Sequence, residues 1–358
     1  MKKFTRHPQG KSIFVLLVVL ALSVTLWSGC EVIQGPQELA ETQQEFVLSP
    51  QNPLVKAAME VQNRHTEELL AKPGIVGTAT TMTEDGKPAI VIYSETVRLA
   101  KAAALPATLE NVPVIVEAVG EIKAVRGPPA GGGVDPTGRF DRPVPIGVST
   151  GHPDITAGTI GCRVKSGNNV YALSNNHVYA NENLASIGDA VIQPGTFDGG
   201  SSPADDIGNL SDFAPIVFST SANNVIDAAI ASTTTALLSN STPSDGYGTP
   251  RSQTVAASAG MRVMQYGRTT GETKGTIDAI NATVNIGYDT GVARFVNQII
   301  IKPGSFGAGG DSGSLVVVQK GGNARKPVGL YYAGSSQIGI ANPIDDVLNE
   351  FGVTIDGN

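Results

Sequence analysis

From Ile146 onward the chain is a succession of short apolar runs broken by Gly, Asn and Asp, without a long helical period. This feature constrains the fold most. GTIGCRVK and VYALSNNH flank SGNN as one hairpin, and VIDAAIA reads as a buried strand. MRVMQYG and KGTIDAINATVNI flank a turn at Thr270-Gly271, and FVNQIIIK, SLVVVQK and KPVGLYYAG add three more strands. Strands at this spacing point to a mainly β fold, a barrel or a sandwich. The last clear helix spans Pro343 to Phe351.

The segments before Ile146 differ in character. Lys2, Lys3, Arg6 and Lys11 precede an uncharged stretch from Ser12 to Trp27, and Trp27-Ser28-Gly29 ends it before Cys30. This reads as an export signal over 1–29. Small residues before a cysteine resemble a bacterial lipobox, which implies lipidation of Cys30 and a membrane anchor. Ordinary cleavage and a retained anchor are the alternatives. Glu31 lacks the aspartate that signals inner-membrane retention in many Gram-negative bacteria, so the outer membrane is the expected site if the source is Gram-negative. Residues 30–52 read as a polar tether. Residues 53–125 suggest a small α+β domain: an amphipathic helix, a hairpin about Asp85-Gly86, a helix-prone VRLAKAAAL and the strand VPVIVEAV. His65, its only histidine, sits in a polar stretch and reads as a solvated surface residue. PPAGGG and DPTG mark a linker over 126–143. The domain that carries the chemistry is then 144–358.

Composition narrows the function. Hydrophobic residues make up 41% and charged residues 16%, which suits a packed globular protein. The net charge is −7 and no basic cluster follows the leader, so a nucleic-acid partner is not expected. If Cys30 is lipidated, Cys162 has no intramolecular partner, and the fold must rest on core burial alone. Neither a metal nor a cofactor is expected.

Three segments carry candidate chemistry. His177, in SNNHV, follows an apolar strand and can face a cleft, although a lone histidine is more often a satisfied structural residue. Asp227 lies within VIDAAIA, where a carboxylate without partners costs several kcal/mol. An imidazole and backbone N–H groups would supply those partners; a turn aspartate capping local amides is the alternative. Asp205 and Asp206 are rivals, in the polar turn-like PADDIG. Ser312 lies in GGDSGSL, the most specific signal. Glycines on both sides permit a sharp turn that exposes a hydroxyl and aims backbone N–H groups at a developing oxyanion, which an ordinary Gly-rich turn does not need. The order His…Asp…Ser is one of the known orders of a catalytic triad.

With these residues, the segment Ile146 to Asp346 resembles the chymotrypsin/trypsin-like serine peptidases. GDSG at Gly310–Gly313 matches the nucleophile motif, Asp227–Ala231 resembles the Asp-Ile-Ala-Leu strand, and NNHV stands where the family has Ala-Ala-His-Cys. Cys162 precedes His177 by 15 residues, as does the cysteine that the family often bridges to the residue after the histidine; here that residue is Val178, so no bridge forms. GRTTG at 267–271, followed by KGTI, looks like a loop of bacterial members. The layout more narrowly resembles the NARROW LEAF-like group of bacteria and plants. The resemblance implies a trypsin-like double β-barrel and a serine endopeptidase acting on protein or peptide substrates. It implies Ser312 as nucleophile, His177 as general base and acid, Asp227 as its orienting partner, and the N–H groups of Gly310 and Ser312 as the oxyanion hole. By count from Ser312, Phe306 falls near the base of the specificity pocket and Gly334 lines its wall. No acidic residue stands there, so cleavage after Lys or Arg is not favoured. No Ile-Val-Gly-Gly start is present, so Asp311 needs a partner other than a freed N-terminus. A serine esterase and a non-catalytic binding module are the competing functions.

Overall fold

A computed structural model describes residues 48–124 and 133–358. The expected export leader, Cys30, the tether as far as 47 and residues 126–132 of the expected linker lie outside the described residues. The chain is mainly β, as the spacing of its apolar runs predicts.

The first elements form an α+β layer. Helix α1 (Pro53–Leu70) begins with the Asn52 side chain accepting the N–H of Leu54, with proline in the first turn. Strands β1 (Ile75–Met82) and β2 (Pro88–Ser94) form the hairpin, turning at Gly86 with φ +78°. Helix α2 (Val97–Ala102) crosses to β3 (Thr108–Leu109) and β4 (Val112–Ala118), and β4 runs parallel to β2. Val61, Leu69, Ile75, Ile90 and Ile92 form a small core under α1.

The first β unit contains β5 (Ser149–Thr150), β6 (Gly158–Thr159), β7 (Cys162–Ser166), β8 (Asn169–Ser174), the helical turn α3 (Asn176–Tyr179), β9 (Ala190–Ile192), β10 (Asp206–Phe213) and β11 (Ala229–Thr233). The second contains β12 (Arg262–Gly267), β13 (Gly271–Gly287), β14 (Val292–Lys302), β15 (Leu315–Val318), β16 (Pro327–Gly334) and β17 (Gly339–Pro343). Helix α4 (Ile344–Phe351) follows, and β18 (Thr354–Ile355) returns to pair with β7. The first sheet has the order β18-β7-β8-β11-β10-β9, with β5 and β6 paired apart. In the second, β12-β15-β16-β17-β14-β13 closes on itself because β12 also pairs with β13. Closure removes free edges from this barrel.

Strand β13 is 17 residues long and serves two structures. Gly271–Thr276 pair with β12, while Ile280–Val284 pair with β1. The α+β layer therefore extends the barrel's own sheet rather than forming a separate one. Gln62 on α1 fastens it, donating to Asn281 O at 2.9 Å and accepting from Thr80 Oγ1 at 2.7 Å. Of the expected linker, the described part also has fixed contacts: Arg139 makes a two-pronged bond to Asp205 (2.6 and 2.7 Å), and Phe140 packs on the first unit's core.

The period of two along β15 joins the β units. Leu315 and Val317 face a cluster with Val164, Leu173 and Ile230 of the first sheet, whereas Val316 and Val318 face Val263, Ile277 and Phe306. Cys162 is a free thiol buried in the first cluster, and burial pushes its pKa up, which leaves it an inert core residue. Val178 occupies the same cluster.

Candidate active site

The site lies where the two β units meet, and each candidate side chain is fixed by its own main chain. Strand β8 ends at Ser174, and α3 then turns His177 back toward the segment before β11. Asn176 holds this turn. Its Nδ2 donates to Ala214 O and to Asn183 Oδ1, both at 2.8 Å, and its Oδ1 accepts the N–H of Asn183. Asn181, Glu182 and Asn183 all have positive φ (47°, 55° and 72°), a costly run for residues other than glycine that these bonds hold in place.

Asp227 is not inside its strand, which begins at Ala229; it stands in the extended segment just before. Its N–H donates to Asn342 Oδ1 (3.1 Å) and its carbonyl accepts Asn175 Nδ2 (2.7 Å). The carboxylate is fully buried and fully engaged. Oδ2 meets His177 Nδ1 at 2.6 Å and accepts the Tyr288 hydroxyl at 2.9 Å; Oδ1 accepts the N–H of His177 at 3.3 Å. These are the partners that a carboxylate in an apolar context requires. Of the rivals, Asp205 is committed to Arg139 and the Ser201 N–H, while Asp206 keeps one carboxylate oxygen buried without a partner; among the described residues neither is hydrogen-bonded to His177.

Tyr288 was not legible as a site residue. Its ring stands edge-on to His177 at 5.9 Å between centroids, and burial followed by the Asp227 charge pushes its phenol well above the ordinary value. It therefore donates as a neutral hydroxyl. Glu182 holds its turn by accepting the N–H groups of Asp289 (3.3 Å) and Thr290 (2.8 Å).

Ser312 sits in the turn before β15. Gly310 and Gly313 flank it with φ of +94° and +99°, conformations that side chains rarely adopt. Space excludes side chains there too. A Cβ on Gly313 would lie 2.2 Å from both Ser174 Oγ and Thr159 O, and one on Gly310 would lie 2.5 Å from Thr269 Oγ1. Thr159 ties this turn to the end of the histidine strand: its N–H donates to Ser312 O, its hydroxyl to Gly310 O, and its carbonyl accepts Ser174 Oγ. The Ser312 hydroxyl donates to Tyr332 O at 3.2 Å, and among the described residues no hydrogen bond joins it to His177. The amides around it divide. Those of Asp311, Gly313 and Ser314 donate to Ala308, Tyr331 and Asp311 carbonyls, whereas those of Gly310 and Ser312 have no acceptor among the described residues. Two unspent N–H groups beside a serine hydroxyl can receive a developing oxyanion.

Asp311 finds its partners in the GRTTG loop. Its carboxylate accepts the N–H groups of Thr269 (2.8 Å), Thr270 (3.1 Å) and Ala308 (2.8 Å) and the Thr270 hydroxyl (2.8 Å). Burial pushes its pKa up and these donors pull it back. No freed N-terminus is needed to hold it. Beneath the same loop, the buried Arg268 forms a two-pronged ion pair with Asp198 at 2.8 and 2.5 Å.

The two expected pocket residues both approach Tyr331. Phe306 is buried, with its carbonyl accepting Gln265 Nε2 at 2.8 Å, and its ring stands edge-on to Tyr331 at 6.1 Å. Gly334 ends β16, and a Cβ on it would lie 2.8 Å from the Tyr331 hydroxyl. Among the described residues, no cluster of His, Cys, Asp and Glu could hold a metal ion.

Residues 251–344 match a family model described as the Nal1 C-terminal domain, a span that includes Ser312 but not His177 or Asp227. No curated protein matches the chain. Solved structures similar to it include a glutamic acid specific serine protease, described as using a histidine triad in substrate binding, at 20% identity and a TM-score of 0.44. That match covers 59% of this chain and 100% of the other. Thermobifida fusca protease A is 19% identical with a TM-score of 0.43, covering 60% of this chain and 100% of its own. Cellulomonas bogoriensis chymotrypsin is 18% identical with a TM-score of 0.42, covering 60% and 99%.

Proposed function

We propose that the chain is a serine endopeptidase in which Ser312 attacks the scissile carbonyl, His177 carries its proton to the leaving amine, and Asp227 orients and stabilises the imidazolium. The observation that carries this reading is the buried His177–Asp227 pair at 2.6 Å, in a chain whose Ser312 turn leaves the amides of Gly310 and Ser312 without acceptors among the described residues. Attack requires the Ser312 hydroxyl to leave the Tyr332 carbonyl and give its proton to His177 Nε2. The negative oxygen that forms is received by the N–H groups of Gly310 and Ser312. Collapse expels the amine, which takes the proton from His177, and water repeats the sequence on the acyl-enzyme. Loss of one oxyanion donor typically costs about 10²–10³ in turnover.

A fluorophosphonate probe tests the nucleophile. The wild-type chain is expected to label at one site, and Ser312→Ala is expected to lose the label while keeping its circular dichroism spectrum. A wild-type chain that folds and does not react would leave a binding module as the better reading. Peptide and ester substrates, compared on the labelled enzyme, separate peptidase from esterase.

Export with acyl chains on Cys30 belongs to the same proposal, and rests on the charged and apolar leader ahead of Ser28-Gly29-Cys30. Lipidation adds about 0.8 kcal/mol per buried CH₂, so several chains anchor firmly. Cys30→Ala is expected to move the protein from the membrane fraction to the soluble one. A variant that still sediments with membranes would sink the lipid anchor.

A further inference from the structure

We propose that Tyr331 fills the recess beside Ser312 in which a substrate's side chain on the acyl side of the scissile bond would lodge, so that the substrates are peptides with glycine, alanine or serine at that position. This rests on the reading of Ser312 as nucleophile. A carbonyl seated on the amides of Gly310 and Ser312 directs its own side chain at the walls of the same turn, 306–309, and at the end of β16, whose Tyr332 carbonyl holds the Ser312 hydroxyl. Tyr331 is bound to that turn through its main chain: its carbonyl accepts the N–H of Gly313 at 2.8 Å and its N–H donates to Ser314 O at 2.9 Å.

The ring lies where three glycines leave room. A Cβ on Gly307 would come within 2.4 Å of the ring's Cζ, one on Gly334 within 2.8 Å of the hydroxyl, and one on Gly339 within 2.9 Å of Cε2. These glycines belong to three segments: the turn before Ser312, the end of β16 and the start of β17. A slot without side chains on three sides, next to a serine, has the width for a large substrate group. Here the protein's own phenol stands in it, with Phe306 behind, and only 3% of Tyr331 is exposed. Among the described residues, the hydroxyls of Tyr93 and Tyr332 are sealed without a partner, and that of Tyr331 has none but is not sealed. The recess therefore ends in a shallow, uncharged floor tipped by one hydroxyl. An aromatic or branched side chain would collide with the ring, and the carboxylate of this turn, Asp311, is already spent on Thr269, Thr270 and Ala308. Hydrogen or a methyl group fits, and a serine hydroxyl can bond to the phenol.

The test is hydrolysis of a peptide series, varied only at this position, by the full chain titrated with fluorophosphonate. Wild type is expected to favour Gly, Ala and Ser over Leu, Phe and Lys by at least about tenfold in kcat/KM. Tyr331→Gly is expected to raise Leu and Phe relative to Ala by about 10–100-fold, the range that pocket volume commands. Tyr331→Phe keeps the volume and should keep Ala above Leu and Phe while lowering Ser relative to Ala, and it decides the matter with wild type if the glycine variant does not fold. An enzyme that labels yet prefers Phe or Leu overturns the proposal, as does a labelled Tyr331→Gly that keeps the wild-type ranking. A chain that neither labels nor cleaves any member removes the nucleophile reading itself, and the proposal with it.

Discussion

Replacing His177 by alanine is expected to lower turnover by about 10⁶-fold, and replacing Ser312 by alanine to lower it equally, on the precedent of triads whose members act as a unit. The double variant should be no worse than either single one. That equality is the informative part. If Ser312 attacks only when His177 removes its proton, the loss of either group ends the same step, and the second loss has nothing left to remove. Independent contributors would multiply instead. Residual activity of about 10³–10⁴ over water should survive in all three variants, because the Gly310 and Ser312 amides are main-chain groups and remain in place. Stability should change little for Ser312→Ala. The hydroxyl makes one 3.2 Å bond to Tyr332 O, and the glycines, not the hydroxyl, set the turn. His177→Ala removes the partner of a buried carboxylate, and a lower melting temperature is expected there. Kinetics of the two single variants and the double variant, each with its thermal melt, decide this. A double variant much slower than both single ones would show that the two residues do not share a step.

What could be read from the sequence follows from how local each constraint is. The strands and hairpins from Ile146 onward were legible because alternation and turn residues act over a few positions. The turn at GGDSGSL was legible because φ of +94° at Gly310 and +99° at Gly313 calls for glycine, although the Ser312 hydroxyl between them is buried rather than exposed. The aspartate needed a reason to sit in an apolar run, and the imidazole at 2.6 Å is that reason. Groups brought in from far along the chain left no such mark. Tyr288 reaches Asp227 across 61 residues and sits in an ordinary strand-end sequence, IGYDTG. Thr269 and Thr270 lie 42 and 41 residues before Asp311. The GRTTG loop stood out as a motif, but nothing in it named its partner. Nor did any local feature reveal that β13 is long enough to carry both the barrel and the α+β layer. Residues 53–125 read as a unit because their own periodicity is complete, and the pairing of β1 with β13 is invisible to it.

Asp227→Asn is expected to reduce turnover by about 10⁴-fold, as loss of the carboxylate does in triads of this kind. The geometry shows why an amide of equal size cannot substitute. The carboxylate has only donors around it: the His177 ring N–H and the Tyr288 hydroxyl at Oδ2, and the His177 main-chain N–H at Oδ1. An asparagine has one acceptor to offer. With its oxygen at the Oδ2 position, its NH₂ faces the His177 amide, donor against donor, and no charge remains to stabilise the imidazolium. With the orientation reversed, its NH₂ faces Nδ1, which forces the ring proton onto Nε2, the nitrogen that must accept the serine proton. Both arrangements fail at the same step. Tyr288→Phe separates charge from orientation, because it removes one donor and leaves the carboxylate. Its effect on turnover should be smaller, about 10–100-fold, the value of one hydrogen bond to a charged group. A Tyr288→Phe variant as fast as wild type would reduce Tyr288 to a packing role, and an Asp227→Asn variant with near wild-type turnover would remove the carboxylate from the mechanism.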